Sequence, residues 1–134
     1  MSVDDGEYVG IVLVSHSNAI AEGLRELLRQ FAADDVPVVA AGGGPDGSLG
    51  TDGDRIATAI ADAGARGGAI VLMDMGSAVL SVKSALADAD GISARMADAP
   101  LVEGAVAAAV AASGGGSLDD VVAAAEEARD VGKL

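Results

Sequence analysis

Apolar residues in the N-terminal part of the chain follow patterns that alternate between strand and helix. Residues 8–14 are a short apolar run rich in β-branched residues, which predicts a buried strand. Beyond it, apolar side chains recur at the spacing of an amphipathic helix, at Ile20, Leu24, Leu27, Leu28 and Phe31. Asp34 and Asp35 are expected to end this helix, and residues 36–41 predict a second buried strand.

The middle of the chain repeats this order of elements. Residues 42–50 form a loop rich in glycine, after which Asp52 or Asp54 is placed to cap a helix. That helix is expected to stop at the glycine pair 67–68, and residues 69–73 predict a third buried strand. The next helix carries its apolar residues on one face, at Val79, Val82 and Leu86.

The C-terminal part predicts one short strand and two alanine-rich helices. Residues 92–96 are expected to form a fourth, weaker strand. In the first helix, the valines that recur at spacing four are expected to face the core, and they are Val102, Val106 and Val110. The second helix begins behind a Ser117 cap and is expected to bury Leu118, Val121, Val122 and Ala125.

Strands that alternate with helices predict an α/β fold with a single open, mainly parallel sheet flanked by helices. At 134 residues the chain is expected to be a single domain, 1–134, with residues 1–7 as a flexible N-terminus. In such sheets, ligands bind beyond the carboxyl ends of the strands. Residues 15–18, 42–52 and 74–77 are expected to converge there and to form the functional site.

Composition and charge exclude several classes of function. The absence of cysteine excludes thiolate metal sites and redox dithiols. A net charge of -13, with one Tyr, one Phe and no Trp, argues against nucleic acid as a partner. No uncharged run reaches the ~20 apolar residues of a membrane span, so we expect no membrane association. The acidic start of the chain does not resemble a signal peptide, so we expect a cytoplasmic protein.

The only histidine, His16, lies between a predicted strand and the first turn of a helix. Free backbone N–H groups and the helix dipole favour an anion at such a position. A neutral imidazole becomes a nucleophile at one nitrogen when a carboxylate fixes the proton on the other, and Asp74 follows a neighbouring strand. The pair therefore predicts a nucleophilic histidine beside a phosphate site, with an aspartate that fixes its tautomer. The alternatives are an exposed histidine and an aspartate that caps a helix.

Small polar residues near this pair are candidate phosphate ligands. Ser17, Thr51, Gly76 and Ser77 are expected to bind or support a phosphoryl group without blocking an incoming protein. Thr51 and Ser77 are equally suited to cap helices. No set of residues has the spacing of a metal site, and we expect none in this chain.

Other phosphate-handling and hydrolytic sites do not fit these positions. A receiver domain needs an acidic pair after the first strand, where this chain has Ser15 and His16. The glycine-rich loop lacks the lysine of a P-loop, and G-x-G-x-x-G is absent after the first strand. No segment has the G-x-S-x-G pattern of a nucleophile elbow.

Four motifs occur in the order known from one family: Val-Ser-His-Ser at 14–17, Gly-Thr-Asp at 50–52, Met-Asp-Met-Gly-Ser-Ala at 73–78, and Ala-Pro-Leu-Val-Glu-Gly-Ala at 99–105. On these residues the chain resembles the DhaM family. Its members are phosphocarrier subunits of phosphoenolpyruvate-dependent dihydroxyacetone kinases, and their domain is similar to the mannose-family enzyme IIA.

The resemblance implies a role for each partner in the pathway. It implies that His16 accepts a phosphoryl group from the phosphocarrier HPr and that Asp74 orients the histidine. The acceptor would be ADP, held with Mg²⁺ on the DhaL subunit, which phosphorylates dihydroxyacetone bound to DhaK. This chain would itself hold no cofactor. The family further implies a homodimer, and some members carry fused HPr-like and enzyme I-like domains, so this chain is expected to use a separate phosphocarrier.

Two other functions stay open from the sequence. One is a sugar-transport enzyme IIA of the mannose family, which would phosphorylate a permease-associated domain. The other is a regulatory module that accepts a phosphoryl group on His16 and signals through altered docking. The residues at 73–78 favour the dihydroxyacetone branch.

The surface charge predicts a dependence of stability on salt. Lys+Arg number 8 against Asp+Glu 21, a balance typical of cytoplasmic proteins from high-salt organisms. Because the Debye length falls to roughly 3 Å at 1 M salt, repulsion between the acidic groups is largely screened there. We expect the melting temperature to rise from dilute buffer to molar KCl. Equal melting temperatures under the two conditions would contradict this prediction.

Overall fold

The computed structural model describes residues 7–89 and 91–134 of the chain. Apart from Glu7, the predicted flexible N-terminus lies outside the described residues. The elements are, in chain order, β1 (Gly10–Ser15), α1 (Asn18–Leu28), β2 (Val38–Gly42), α2 (Gly53–Gly64), β3 (Ala69–Met73), α3 (Gly76–Asp88), β4 (Ala94–Met96), α4 (Leu101–Ser113) and α5 (Leu118–Glu127). A short 3₁₀ helix, Ala128–Asp130, follows α5.

The four strands form one parallel sheet in the order β2-β1-β3-β4. The predicted α/β class and the parallel sheet are confirmed. The predicted strand 69–73 is β3 itself, whereas β4 is shorter than the predicted 92–96. Within the described residues, no helix is both long enough and apolar enough to cross a bilayer.

Alternate residues of the central strands face two separate apolar layers, as the period of a strand requires. One layer contains Ile11, Leu13, Ile70 and Leu72 and packs against α1, α4 and α5. The opposite layer is formed by the intervening residues of the same strands with α2 and α3. Both faces of β1 and β3 are therefore covered, which explains why these strands are almost continuously apolar.

Helix α1 is shorter than predicted and is rotated relative to the predicted face. It ends at Leu28, because the following amides bond the carbonyl of Leu28 and of nearby residues in tight turns that lead toward β2. Its buried residues are Ala21, Leu24 and Leu28. The expectation that Ile20, Leu27 and Phe31 would be core residues was wrong, since all three are exposed.

Helix α4 buries mainly alanines, and of the three valines that were expected to face the core only Val106 packs against it, partly buried. Its buried residues are Gly104, Ala105, Ala108, Ala109 and Ala112. Val102 and Val110 are exposed. Small side chains allow α4 to approach the sheet and α5 closely, and β-branched residues at the same positions would hold these layers apart. The predicted Ser117 cap is confirmed and belongs to a capping box with Asp120.

The close approach of α4 gives a prediction for stability. A Cβ at Gly104 would lie 2.8 Å from Ala99 Cβ and 3.0 Å from Leu72 Cδ2. We expect Gly104→Ala to lower the free energy of unfolding by about 1–3 kcal/mol, because crowding in a packed core outweighs the gain in helix propensity.

The matched control is Gly23→Ala in α1, where nothing lies within 4 Å of the added Cβ. This change should raise the free energy of unfolding by roughly 0.5–1 kcal/mol. Urea denaturation followed by circular dichroism measures both values. Stabilisation by Gly104→Ala would show that α4 can move away from the sheet at little cost.

Candidate functional site

The strand register brings His16 and Asp74 to the same edge of the sheet. Val14 of β1 is paired with Met73 of β3, so Asp74 lies beside Ser15, the last residue of β1, and His16 follows one residue later. The Asp74 amide then donates to the Val14 carbonyl at 3.1 Å, extending the parallel pairing by one bond. On the other side of β1, the glycine-rich loop reaches the same edge, where the Gly50 amide donates to the His16 carbonyl at 2.9 Å. The predicted convergence of the three loops is therefore confirmed.

The imidazole of His16 contacts the carboxylate of Asp74. His16 Nδ1 lies 3.0 Å from Asp74 Oδ1, and the two side chains are 22% and 15% exposed. An ionised carboxylate only accepts hydrogen bonds, so Nδ1 carries the proton and Nε2 holds a lone pair. The neutral imidazole is therefore fixed in the tautomer that makes Nε2 the nucleophilic nitrogen.

The second oxygen of Asp74 is also bound by hydrogen-bond donors. Asp74 Oδ2 accepts from the His16 amide at 3.0 Å and from the Ser15 hydroxyl at 2.9 Å. Ser15 is 1% exposed, and its oxygen accepts from the Ser17 amide at 3.0 Å. Ser15 belongs to the predicted site segment 15–18, but its sequence position alone predicted no role for it. The sequence signal for such a role is a serine at the end of an apolar strand, directly before a candidate histidine.

These bonds determine the charge of Asp74. Burial by itself raises the pKa of the carboxyl group. The hydrogen bonds from the His16 amide, the His16 imidazole and the Ser15 hydroxyl outweigh burial and hold the pKa of Asp74 below its ordinary value. Asp74 is therefore a carboxylate at neutral pH and remains an acceptor for the Nδ1 proton.

Ser77 lies on the opposite side of the imidazole from Asp74. Its Oγ is 2.7 Å from His16 Nε2, and since Nε2 holds the lone pair, the hydroxyl donates. Ser77 is in the first turn of α3, whose N-cap residue, Met75, makes no side-chain capping bond. A Cβ at Gly76 would meet nothing within 4 Å, so the space before this helix end is open. An anion on Nε2 would lie close to the N-terminus of α3.

The other two predicted phosphate ligands have hydroxyl groups that are already engaged. Ser17 is the N-cap of α1, and its Oγ accepts from the Ile20 amide at 3.3 Å. Thr51 Oγ1 lies 2.7 Å from Ser81 Oγ, one turn beyond Ser77 on α3. Ser81 was not among the predicted site residues. Phosphate binding by Ser17 and Thr51 stays a prediction, and their observed contacts are with the protein.

The glycine-rich loop is shaped by packing and turn geometry. A Cβ at Gly42 would lie 2.7 Å from the Ser17 carbonyl oxygen and 2.8 Å from Asn18 Cα, so glycine allows β2 to approach the start of α1. Gly43 has φ +84°, which disfavours other residues. Arg55 Nη1 donates to the Gly42 carbonyl at 2.7 Å. The loop therefore supports the backbone around His16.

A cavity of about 450 Å³ opens beside Asp74 and has mostly apolar walls. Its lining includes Met73, Met75, Val79 and Met96, together with the acidic residues Asp98 and Glu126. Met75 is 55% exposed, and Leu49 of the glycine-rich loop is 81% exposed. Exposed apolar side chains therefore occur in the segments that carry Asp74 and that bond the backbone of His16.

Few basic groups are available at this edge of the sheet. Arg55 is bound to the Gly42 carbonyl, and Arg129 pairs with Asp98 at 2.6 Å. Within residues 7–89 and 91–134, no arginine or lysine forms an ion pair or hydrogen bond with His16, Asp74 or Ser77. The same part of the chain contains no group of three or more His, Cys, Asp or Glu residues placed to hold a metal ion.

Comparison with known proteins identifies the family of the chain. The family described as "PTS system fructose IIA component" matches residues 10–122. The chain is 43% identical over 103 residues to the phosphoryl donor subunit DhaM of PEP-dependent dihydroxyacetone kinase 2 from Listeria innocua, covering 75% of this chain and 82% of that protein. It is 40% identical over 106 residues to the DhaM subunit of Escherichia coli, covering 75% of this chain but 22% of that longer protein.

Solved structures have the same fold. A crystal structure of a protein of unknown function superposes with a TM-score of 0.80 at 36% identity, covering 95% of this chain and 97% of that one. A sigma-54 interaction domain protein from Enterococcus faecalis superposes with a TM-score of 0.71 at 16% identity, which shows the fold alone. Because the family match and the Listeria relative each span most of the chain, the chain belongs to the PTS system fructose IIA component family and, within it, to the DhaM phosphoryl donor subunits, which are phosphotransferase components.

Proposed function

We propose that this chain relays a phosphoryl group from HPr, through Nε2 of His16, to ADP held with Mg²⁺ on a DhaL subunit. DhaL would then phosphorylate dihydroxyacetone bound to DhaK. The single observation that carries the proposal is the geometry of the histidine, with Nδ1 bonded to Asp74 and Nε2 turned toward Ser77 and the open end of α3. The names of the relatives supply the substrate and the kinase.

In the first half of the cycle, the lone pair of His16 Nε2 attacks the phosphorus of the phosphohistidine on HPr. The P–N bond of the donor breaks, and its electron pair returns to the donor imidazole. Nδ1 of His16 keeps its proton, so the product is an imidazolium that carries the phosphoryl group on Nε2. The carboxylate of Asp74, 3.0 Å from Nδ1, stabilises the positive charge that forms on the ring.

Ser77 and the N-terminus of α3 hold the transferred group in this proposal. The Ser77 hydroxyl occupies the Nε2 lone pair at 2.7 Å, so it must rotate away when Nε2 attacks. After rotation it donates to a phosphoryl oxygen. The amides of Gly76 and Ser77 in the first turn of α3 provide further donors, and the positive end of the helix dipole favours the anion.

In the second half, an oxygen of the β-phosphate of ADP forms a bond to phosphorus as the Nε2–P bond breaks. The electron pair returns to Nε2, and the imidazole is again neutral with its proton on Nδ1. No proton leaves the His16–Asp74 pair in either step. Since no basic residue contacts the site within the described part of the chain, positive charge for the transition state comes from the partners.

The remaining features of the proposal concern the setting of the relay. The chain holds no cofactor of its own, forms a homodimer and acts in the cytoplasm with a separate HPr. Its acidic surface is suited to high salt, where screening limits electrostatic steering. Docking to both partners therefore relies on exposed apolar residues close to His16, of which Met75 and Leu49 are the most prominent.

The first prediction of this proposal is a transfer observed by intact mass. At high salt, HPr, enzyme I and phosphoenolpyruvate should add one acid-labile phosphoryl group to the protein, and ADP-loaded DhaL should remove it. His16→Ala should abolish the mass increase, since no other histidine is present.

The other outcomes of this experiment discriminate between the alternatives. A phosphoryl group that appears and stays in the presence of ADP-loaded DhaL favours a sugar-transport enzyme IIA or a regulatory module. Failure of the wild type to accept any phosphoryl group would overturn the relay, and labelling of His16→Ala would overturn the assignment of His16.

A second prediction concerns docking. We expect Met75→Asp to slow transfer from HPr and to DhaL by about tenfold or more, because a charge would replace an apolar contact in a desolvated interface. Val110→Asp is the matched control. Val110 is 56% exposed and Met75 is 55% exposed, but Val110 lies in the last turn of α4. Single-turnover rates measured by quenched flow test the pair. Equal rates for the two variants would remove Met75 from the interface.

A further inference from the structure

Ser15 is a buried polar residue that has no direct contact with the reacting nitrogen. It is the one polar or charged residue classed as buried among residues 7–89 and 91–134, at 1% exposure. A buried hydroxyl destabilises the fold unless it is hydrogen-bonded, and at the end of a core strand an apolar residue would serve packing better. The Ser15 hydroxyl donates one hydrogen bond and accepts another, both within the site, which points to a role in the chemistry.

We propose that Ser15 is a positioning residue that keeps the shared proton on Nδ1 of His16 throughout the transfer cycle, by holding Asp74 through Oδ2. This inference rests on the proposed function and adds to it a condition that the relay requires. It assigns to Ser15 no contact with the phosphoryl group.

The direction of the Ser15 hydroxyl is fixed by its neighbours. The Ser17 amide donates to Ser15 Oγ at 3.0 Å, which occupies a lone pair of that oxygen. The hydroxyl proton then points to Asp74 Oδ2 at 2.9 Å. With the His16 amide on Oδ2 and the imidazole on Oδ1, the carboxylate receives three hydrogen bonds, all from residues 15 and 16. Each one stabilises the ionised carboxylate over the protonated form.

The position of the proton decides how readily phosphohistidine releases its group. With the proton on Nδ1, breaking the Nε2–P bond produces a neutral imidazole, which is a good leaving group. If the proton moved to Asp74, the same step would have to expel an imidazolate anion or recover the proton first. Because a low pKa of Asp74 leaves the proton on Nδ1, the hydrogen-bond donors to Oδ2 keep the imidazole a good leaving group in the phosphorylated protein.

Other acidic side chains lie along the cavity beside Asp74 and in the loops around the site. Asp98 and Glu126 line the cavity that opens beside Asp74, and Asp98 is paired with Arg129. In the glycine-rich loop, Asp46 bonds Ser48, and Asp52 caps α2. None of these side chains has a hydrogen bond to Asp74, so Ser15 is the only side chain besides His16 that bonds its carboxylate in the described part of the chain.

The test begins with the unphosphorylated protein and needs no partner. As the sole histidine, His16 gives unambiguous ring ¹⁵N signals in NMR, and the Asp74 carboxyl carbon can be followed by ¹³C. We expect Ser15→Ala to move the titration of Asp74 to higher pH, because one of the donors that lower its pKa is lost. Ser15→Thr retains the hydroxyl and should restore the wild-type titration.

Ser113→Ala is the matched control for loss of a serine hydroxyl. Ser113 Oγ accepts from the Ala33 amide at 2.8 Å and donates to the Phe31 carbonyl at 3.4 Å, at the C-terminus of α4, away from the site. Ser113→Ala should leave the titration of Asp74 unchanged. A merely structural role for Ser15 predicts that both alanine variants lose stability while the titration of Asp74 stays in place.

The second measurement is single-turnover transfer from the phosphorylated protein to ADP-loaded DhaL across pH. We expect Ser15→Ala to transfer roughly tenfold more slowly, the effect of one hydrogen bond to a charged group, with an altered pH profile. If Ser15→Ala had the same Asp74 titration and the same pH dependence of the transfer rate as the wild type, this inference would be overturned and the relay would be unaffected. A wild type that never accepts a phosphoryl group would overturn the proposed function, and this inference with it.

A third measurement does not depend on the folding of any variant. In the phosphorylated wild type, the ¹⁵N spectrum should show Nδ1 protonated and Nε2 bonded to phosphorus at neutral pH. A deprotonated Nδ1 in that state would overturn the role assigned to Ser15 even if Ser15→Ala did not fold.

Discussion

The hydrogen bond between His16 Nδ1 and Asp74 Oδ1 is the interaction on which the geometry of the candidate site and the proposed chemistry depend. It is possible because β1 and β3 are adjacent parallel strands whose register places Asp74 beside Ser15 and within reach of His16. The bond fixes the tautomer of the imidazole and leaves the lone pair on Nε2, the nitrogen that the proposed relay uses. A shift of one residue between the strands would turn each side chain to the opposite face and separate the pair.

The rest of the fold holds these two strand ends in place. β1 and β3 are covered on both faces by apolar layers, so they have little freedom to slide. On one side, the glycine-rich loop bonds the backbone of Ser15 and His16 through the amides of Gly43 and Gly50. On the other side, α3 starts directly after Asp74 and brings Ser77 to Nε2. The site is thus preorganised by the backbone, with few side chains involved.

The distribution of charge suits a protein that passes a phosphoryl group between partners. A site that retained a phosphate permanently would be expected to surround it with arginine or lysine. Here Arg55 and Arg129 are bonded elsewhere, and the cavity beside Asp74 is lined by apolar and acidic residues. In the proposed relay, stabilisation by hydrogen bonds alone would leave the phosphoryl group reactive until a partner supplied positive charge.

The sequence by itself determined the class of fold, the order of elements and the two residues of the candidate site that contact each other, His16 and Asp74. Runs of β-branched residues predicted β1 and β3, and polar residues directly after them identified His16 and Asp74, because both signals are local along the chain. The tertiary structure decided which helix faces are buried and which hydroxyl groups bond the pair. Val102 and Val110 face outward because α4 must approach the sheet through alanines. Ser15 and Ser81 acquired their roles only through contacts with residues distant in sequence, and hydrogen bonds between separate elements leave no periodic signal in the chain.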